Sequence, residues 1–194
     1  KLIDKYPVPT DYSIKLSGES SDMGESMKDM LFLLTLAIIF VYLILVPQFK
    51  SFIHPITIMA SIPLVIIGIA PALGLTNKYV SMPVLLGFIL LAGTVVNNAI
   101  LIIDQTILAK KTGLSTNEAL ISAITVRYRP IMMTALSDVV GMLPLAMQLA
   151  LGSERFSPLA VTIIGGILSA TFLTLIVIPV LFAGFEEIKE KFVQ

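Results

Sequence analysis

Cysteine and tryptophan are both absent from the 194 residues, histidine occurs once, and only 13% of the chain is charged. Without cysteine there are no disulfides and no thiolate metal sites. The single His54 stands beside Pro55 with no second histidine or acid at ligand spacing, so no metal centre is expected. Thirteen basic and thirteen acidic side chains cancel, which leaves no basic domain for nucleic acid and no field to steer a soluble partner. Hydrocarbon fills the chain instead: 56% of residues are hydrophobic and the mean hydropathy is +0.95. The expected class is an all-α membrane protein in a lipid bilayer, with no cofactor and no enzymatic activity.

A membrane span needs about 20 apolar residues at 1.5 Å rise each. Five stretches qualify, at about 28–47, 55–74, 82–106, 130–149 and 158–184. Tyr79 to Ile103 and Pro158 to Phe185 hold no charged residue, whereas Lys28 and Asp29 open the first span and Asp138 lies inside the fourth. The prolines at 47, 55, 83, 130 and 158 fall near predicted helix ends, where a missing donor matters least. Pro63, Pro144 and Pro179 fall inside spans and predict kinks or local loosening.

Lys and Arg set the expected orientation. Lys50, Lys110, Lys111, Arg127, Arg129, Lys189 and Lys191 lie on one side, against Lys78 and Arg155 on the other. The segment 107–129 and the tail 188–194 are therefore expected in the cytoplasm, and residues 1–26 outside. The polar start, Lys1 to Ser26, has no cleavable apolar region, so an upstream span is expected to carry it across. Within it Tyr12, Ile14 and Leu16 alternate with Ser13, Lys15 and Ser17, which reads as a single strand in need of partners. On the inner side, Ser115 and Glu118 fit a capping box that opens a short interfacial helix through Val126.

Polar groups inside apolar spans carry the functional signal, because an unpaired amide out of water costs on the order of 2 to 7 kcal/mol. On the third span Gly93, Asn97, Leu101 and Asp104 share one face, while Asn98 and Gln105 share another. On the fourth, Thr134, Asp138 and Gly141 follow one another at i, i+4 and i+7. A carboxyl group there needs a hydrogen-bond partner or water, and titratable groups of this kind mark ion or proton pathways. Arg127 and Arg129 precede Pro130 and fit as anchors at the inner interface, with Arg127 also able to reach inward. An aspartyl protease pair is not expected, since Asp104 and Asp138 fall at opposite depths.

Small residues four apart permit close backbone approach in membranes. Gly165 with Ser169, and Thr162 with Gly166 and Ala170, give two such rows on the fifth span, and Gly68 with Ala72 gives one on the second. Gly93 and Gly141 are added as packing positions on the third and fourth.

Several of these runs resemble one family in its own order. Gly93-Thr-Val-Val-Asn-Asn-Ala-Ile-Leu-Ile-Ile-Asp104, Arg127-Tyr-Arg-Pro-Ile-Met-Met-Thr134, Gly141-Met-Leu-Pro-Leu-Ala146 and Gly165-Gly-Ile-Leu-Ser-Ala-Thr171 are similar to the C-terminal part of resistance-nodulation-division (RND) transporters, in the hydrophobe/amphiphile efflux branch. Val46-Pro-Gln-Phe-Lys-Ser-Phe-Ile-His-Pro55 resembles the loop between spans eight and nine of those pumps.

The resemblance implies spans eight to twelve of a twelve-span exporter that exchanges protons for hydrophobic or amphiphilic compounds in the bacterial inner membrane. It implies a bundle over 27–187, with residues 1–26 ending a periplasmic domain. The implied partners are the N-terminal half of the transporter, sister subunits of a trimer, a periplasmic adaptor and an outer-membrane channel. By the same resemblance Asn97 stands where drug pumps carry a lysine, Thr134 matches a relay threonine, and Arg127 matches an arginine on its cytoplasmic side. An amide cannot ion-pair with the proton-binding carboxylates of the first half, so Asn97 and Asn98 become a non-titrating polar face. Asp138 departs from the family pattern, which has a neutral residue there. A stand-alone five-span scaffold or regulatory subunit is the alternative expectation.

Overall fold

The structure is a computed structural model that describes residues 19–193, with side chains described from 24 to 187. Among these residues it is mainly helical, with short connections between helices, and contains no strand. Tyr12 to Leu16, the candidate strand, lies outside the described residues. The helices are α1 (Glu19–Phe49), α2 (Ile53–Met59), α3 (Ser61–Leu75), α4 (Met82–Lys111), α5 (Thr116–Ala146) and α6 (Ser157–Val193). α2 and α3, joined through Ala60, count as one crossing over Ile53–Leu75, which makes five membrane-length units.

Four of the five are apolar enough to cross a bilayer by their own composition: Gly24–Phe49, Ile53–Leu75, Met82–Lys111 and Ser157–Glu187. The fifth, α5, has the length at 31 residues but carries Arg127, Arg129 and Asp138. Its polar groups therefore need shelter among helices, and that requirement locates the candidate site.

Helix boundaries differ from the apolar runs for physical reasons. Both α1 and α6 extend beyond the hydrocarbon-length segments, α6 through Val193, past the expected span end near 184. Apolar counting measures the thickness to be crossed, whereas backbone hydrogen bonds continue into polar turns. The predicted span 55–74 is divided at Ala60. Pro63 has no N–H to give the Met59 carbonyl and its ring crowds that carbonyl, while Ser61 Oγ donates to the Ile58 carbonyl at 2.7 Å.

The interfacial helix is not separate: residues 116–126 and the fourth span form one continuous α5. Pro130 was expected at a helix end and lies inside it. The capping box is present. Ser115 Oγ accepts from the Glu118 N–H at 3.4 Å, and Glu118 Oε2 accepts from the Ser115 N–H at 3.0 Å. A hydrogen bond from the Ser115 hydroxyl, then the one from its backbone, holds the Glu118 carboxyl below its ordinary value. A depressed folded value means that the stabilisation is complete above the ordinary carboxylate range and is lost as pH falls through the depressed one. The protection of the amides at residues 115–118, taken relative to their intrinsic exchange rate at each pH, is accordingly expected to fall at acid pH, and Glu118→Ala to remove that acid step.

The central helix is α6, with 56% of an apolar 18-residue stretch buried against 6% for α1. It packs on α3, α4 and α5 through Val65, Ile69, Leu91, Val95, Ala135, Ile163, Ile167 and Ala170. A second cluster, with Leu45, Ile58, Ala99, Ile103, Ile178 and Phe182, ties α1 and α2 to the same core at one end. There His54 stacks on Phe182 at 5.2 Å between ring centroids and meets Phe49 edge-on at 6.4 Å. Lys110 of α4 is paired with Glu186 of α6.

Backbone contact at the α3/α6 crossing depends on glycine. A Cβ built on Gly68 would lie 1.9 Å from Ser169 Oγ and 2.2 Å from the Gly165 carbonyl oxygen, and one on Gly165 would lie 2.3 Å from Ala72 Cβ. Gly166 is closed in the same way by Leu91, 2.3 Å away. A Cβ built on Gly93 or Gly141 would meet nothing within 4 Å, so among the described residues neither is packed against another helix as expected. Both lie exposed on the outer faces of α4 and α5.

Candidate functional site: a polar groove between α4 and α5

The antiparallel pair α4 and α5 keeps one register along its length. At one end Leu90, Thr94, Asp138 and Met142 border a common cavity. Eleven positions further along each helix, about 16 Å at 1.5 Å per residue, Arg127 Nη2 donates to Gln105 Oε1 at 3.2 Å. Residues at α-helical spacing therefore form two facing stripes: Thr94, Asn98, Leu101 and Gln105 on α4, and Asp138, Thr134, Ile131 and Arg127 on α5.

Between these ends lies a groove of about 350 Å³ lined by Thr94, Asn97, Asn98, Leu101, Pro130, Ile131, Thr134 and Asp138. Four of the five expected relay residues thus share one surface. Asn98 is buried at 8% exposure, whereas Asn97, Thr134 and Asp138 are exposed on the open side of the groove. The difference follows from the helix period: residue 97 is turned about 100° from residue 98, so one amide meets α5 and its neighbour leaves the pair. Asp104 is exposed on the same outer side.

Arg127, the fifth residue, does not line the groove. Ile131, 2% exposed, and the half-buried Leu101 stand between it and Thr134, so an apolar layer separates the guanidinium from the amides and Asp138. It reaches inward rather than anchoring at the interface, because Gln105 offers an acceptor across the helix contact. Arg127 Nε is buried without an acceptor among the described residues.

The chemistry of this surface is hydrogen-bond exchange. Thr94 and Thr134 donate to the carbonyls of Leu90 and Ile131, at 3.2 and 3.0 Å, which leaves their oxygens able to accept. Asn97 and Asn98 supply both donors and acceptors, and Asp138 is the one titratable group lining the groove. Among the described residues no cluster of His, Asp or Glu has the arrangement to hold a metal ion. Thr94 was missed as a site residue, although it sits four before Asn98 and helical spacing alone would have found it; Gln105 was placed on the face of Asn98 but given no role in the site.

Comparison with known proteins gives a consistent set of relatives. Residues 1–186 match the AcrB/AcrD/AcrF family. The swarming motility protein SwrC of Bacillus subtilis is 38% identical over 192 residues, covering 98% of this chain and 18% of SwrC. The multidrug resistance protein MdtC of Proteus mirabilis is 37% identical over 188 residues, 96% of this chain and 18% of MdtC. In three dimensions the chain is similar to the crystal structure of a heavy metal efflux pump, with a TM-score of 0.80 and 28% identity over 96% of this chain and 18% of the pump. The chain thus spans about a fifth of the length of the relatives it matches.

Proposed function

This chain belongs to the AcrB/AcrD/AcrF family, a membrane part of an RND transporter, and from that premise we propose that it forms spans eight to twelve of a proton-driven exporter of hydrophobic or amphiphilic compounds. In this reading the open side of the α4/α5 groove meets the proton-binding carboxylates of the N-terminal half. Asn97, Asn98 and Thr134 exchange hydrogen bonds with those carboxylates, and Asp138 adds a carboxyl group at the outer end of the path. The chain acts in transport and not as an enzyme.

The observation that carries the proposal is the convergence of two amides, two hydroxyls and one carboxyl on a membrane-embedded groove. Four of those groups, Thr94, Asn97, Thr134 and Asp138, are exposed on the open side of the groove. Polar side chains on such a face are expensive against lipid and are satisfied by a further helix. Their neighbours Gly93 and Gly141, with open space around them among the described residues, would let that helix approach closely.

The same reading puts residues 1–26 in the periplasm and the C-terminus in the cytoplasm of a cell whose inner, or plasma, membrane holds the bundle. It assigns the complete protein a trimeric assembly, with a periplasmic adaptor and an outer-membrane channel as partners. The test uses the complete transporter in proteoliposomes with an amphiphilic fluorescent dye and an imposed pH gradient. Dye export is expected to require the gradient and to drain it; export that proceeds unchanged without a gradient would refute proton drive.

A further inference from the structure

Arg127 is held by a neutral acceptor although a carboxylate stands next to that acceptor. Its Nη2 donates to Gln105 Oε1 at 3.2 Å, while Asp104, one position earlier on α4, is exposed about 100° around the helix. Arg127 makes no ion pair among the described residues. Lys110, the next cation along α4, is committed to Glu186 of α6, and Arg129 is exposed two positions away on α5. The consequence is electrostatic: an amide fixes the direction of a guanidinium without cancelling its charge, which an aspartate would do.

The rest of the guanidinium is not spent. It presents five N–H donors in a rigid plane, and one of them, Nε–H, is buried with no acceptor in the described residues. Buried donors are rarely left unmet in native proteins, and each such group calls for an explanation. Ile131 and Leu101 close the groove above it, so the acceptor cannot be Thr134 or Asp138.

We propose that Gln105 is a positioning residue, which holds Arg127 as an uncompensated cation at the inner end of the α4/α5 seam for an acceptor on the remainder of the transporter. The chemical class of that acceptor is an anionic oxygen, a carboxylate above all, because the donor plane carries a full charge. The inference rests on the proton-driven reading of the seam and deepens it. Nothing in the family resemblance points to residue 105; the contact comes from the α4/α5 register alone.

The experiment compares Gln105→Leu, Gln105→Glu, Arg127→Ala and the Gln105→Leu/Arg127→Ala double variant in the complete transporter in proteoliposomes. Folded protein is quantified for each, and export is measured across a pH series. Arg127→Ala is expected to lower export at least about tenfold and to shift the pH profile. Gln105→Leu should shift the profile in the same direction, with export within about threefold of Arg127→Ala, and the double variant should fall no further. Gln105→Glu keeps an acceptor oxygen but adds the negative charge that cancels the guanidinium's, so export is expected to stay as low as in Gln105→Leu; wild-type export in Gln105→Glu would contradict the need for an uncompensated cation. A Gln105→Leu profile identical to wild type, beside a shifted Arg127→Ala profile, would overturn the positioning role while leaving the transport reading intact. Export and profile unchanged in Arg127→Ala would remove the premise itself.

Discussion

Gly165→Leu in the complete transporter is expected to abolish folded protein in the membrane, and Gly68→Leu to do nearly the same. The first side-chain atom alone has no room, since a Cβ at 165 would stand 2.3 Å from Ala72 Cβ and 2.8 Å from the Gly68 carbonyl oxygen. No rotamer avoids that atom, and part of the obstruction is backbone that cannot turn aside. Overpacking a dense core costs typically 1 to 3 kcal/mol and occasionally more; here α3 and α6 must separate, so at least about 3 kcal/mol is expected. Domains hold about 5 to 15 kcal/mol in all, and α6 is the helix against which α3, α4 and α5 all pack. Monodisperse protein recovered in detergent and its thermal unfolding temperature are the measurements. Wild-type recovery for Gly165→Leu would mean that the α3/α6 crossing is not as close as described.

The second large effect is expected at Asp138. Asp138→Asn should lower proton-coupled export at least about tenfold, equivalent to about 1.4 kcal/mol of barrier, and flatten its pH dependence, while Asp138→Glu retains both in part. Asparagine preserves size and hydrogen bonding, so packing is conserved and only the ability to change charge is lost. The neighbours argue for a functional carboxyl: Thr94, Thr134 and the two asparagines surround it with hydroxyls and amides in a groove of about 350 Å³. Export rate against internal and external pH in proteoliposomes measures it. An unchanged rate with an unchanged profile would leave Asp138 a structural residue.

How far the sequence led differs from element to element. The five membrane-length units were legible, because hydrocarbon thickness demands long apolar runs and nothing in a soluble protein imitates Tyr79 to Ile103. The small-residue rows were legible too, Gly165 with Ser169 and Gly68 with Ala72 at the spacing that lets backbones touch, whereas their facing one another across the α3/α6 crossing emerges only in the structure. Helix continuity was not. Pro130 reads as an end because it removes one hydrogen bond, but a single lost bond does not stop a 31-residue helix whose other turns remain satisfied.

Within the site, helical phase told which asparagine shares a face with Gln105. The register between α4 and α5 stayed hidden, since it is set by side-chain packing between helices rather than by either helix alone. For that reason the Gln105 contact to Arg127 and the pairing of Lys110 with Glu186, 76 residues apart in the chain, emerge only in three dimensions. Gly93 and Gly141 show the converse. Their spacing marks a packing face, but the helix that would use it is not among these elements.

The most direct measurement of the central claim is where Asn97 points. These 194 residues hold no cysteine, so Asn97→Cys introduces a single thiol into them. In the complete transporter, otherwise freed of reactive thiols, it is paired with single cysteines placed along each membrane helix of the N-terminal half. A short bifunctional cross-linker is expected to join residue 97 to the helix that bears the proton-binding carboxylates, with little labelling by a lipid-soluble maleimide. Ready labelling from the lipid phase, with no cross-link to any helix of that half, would contradict the claim that the α4/α5 groove faces the proton path.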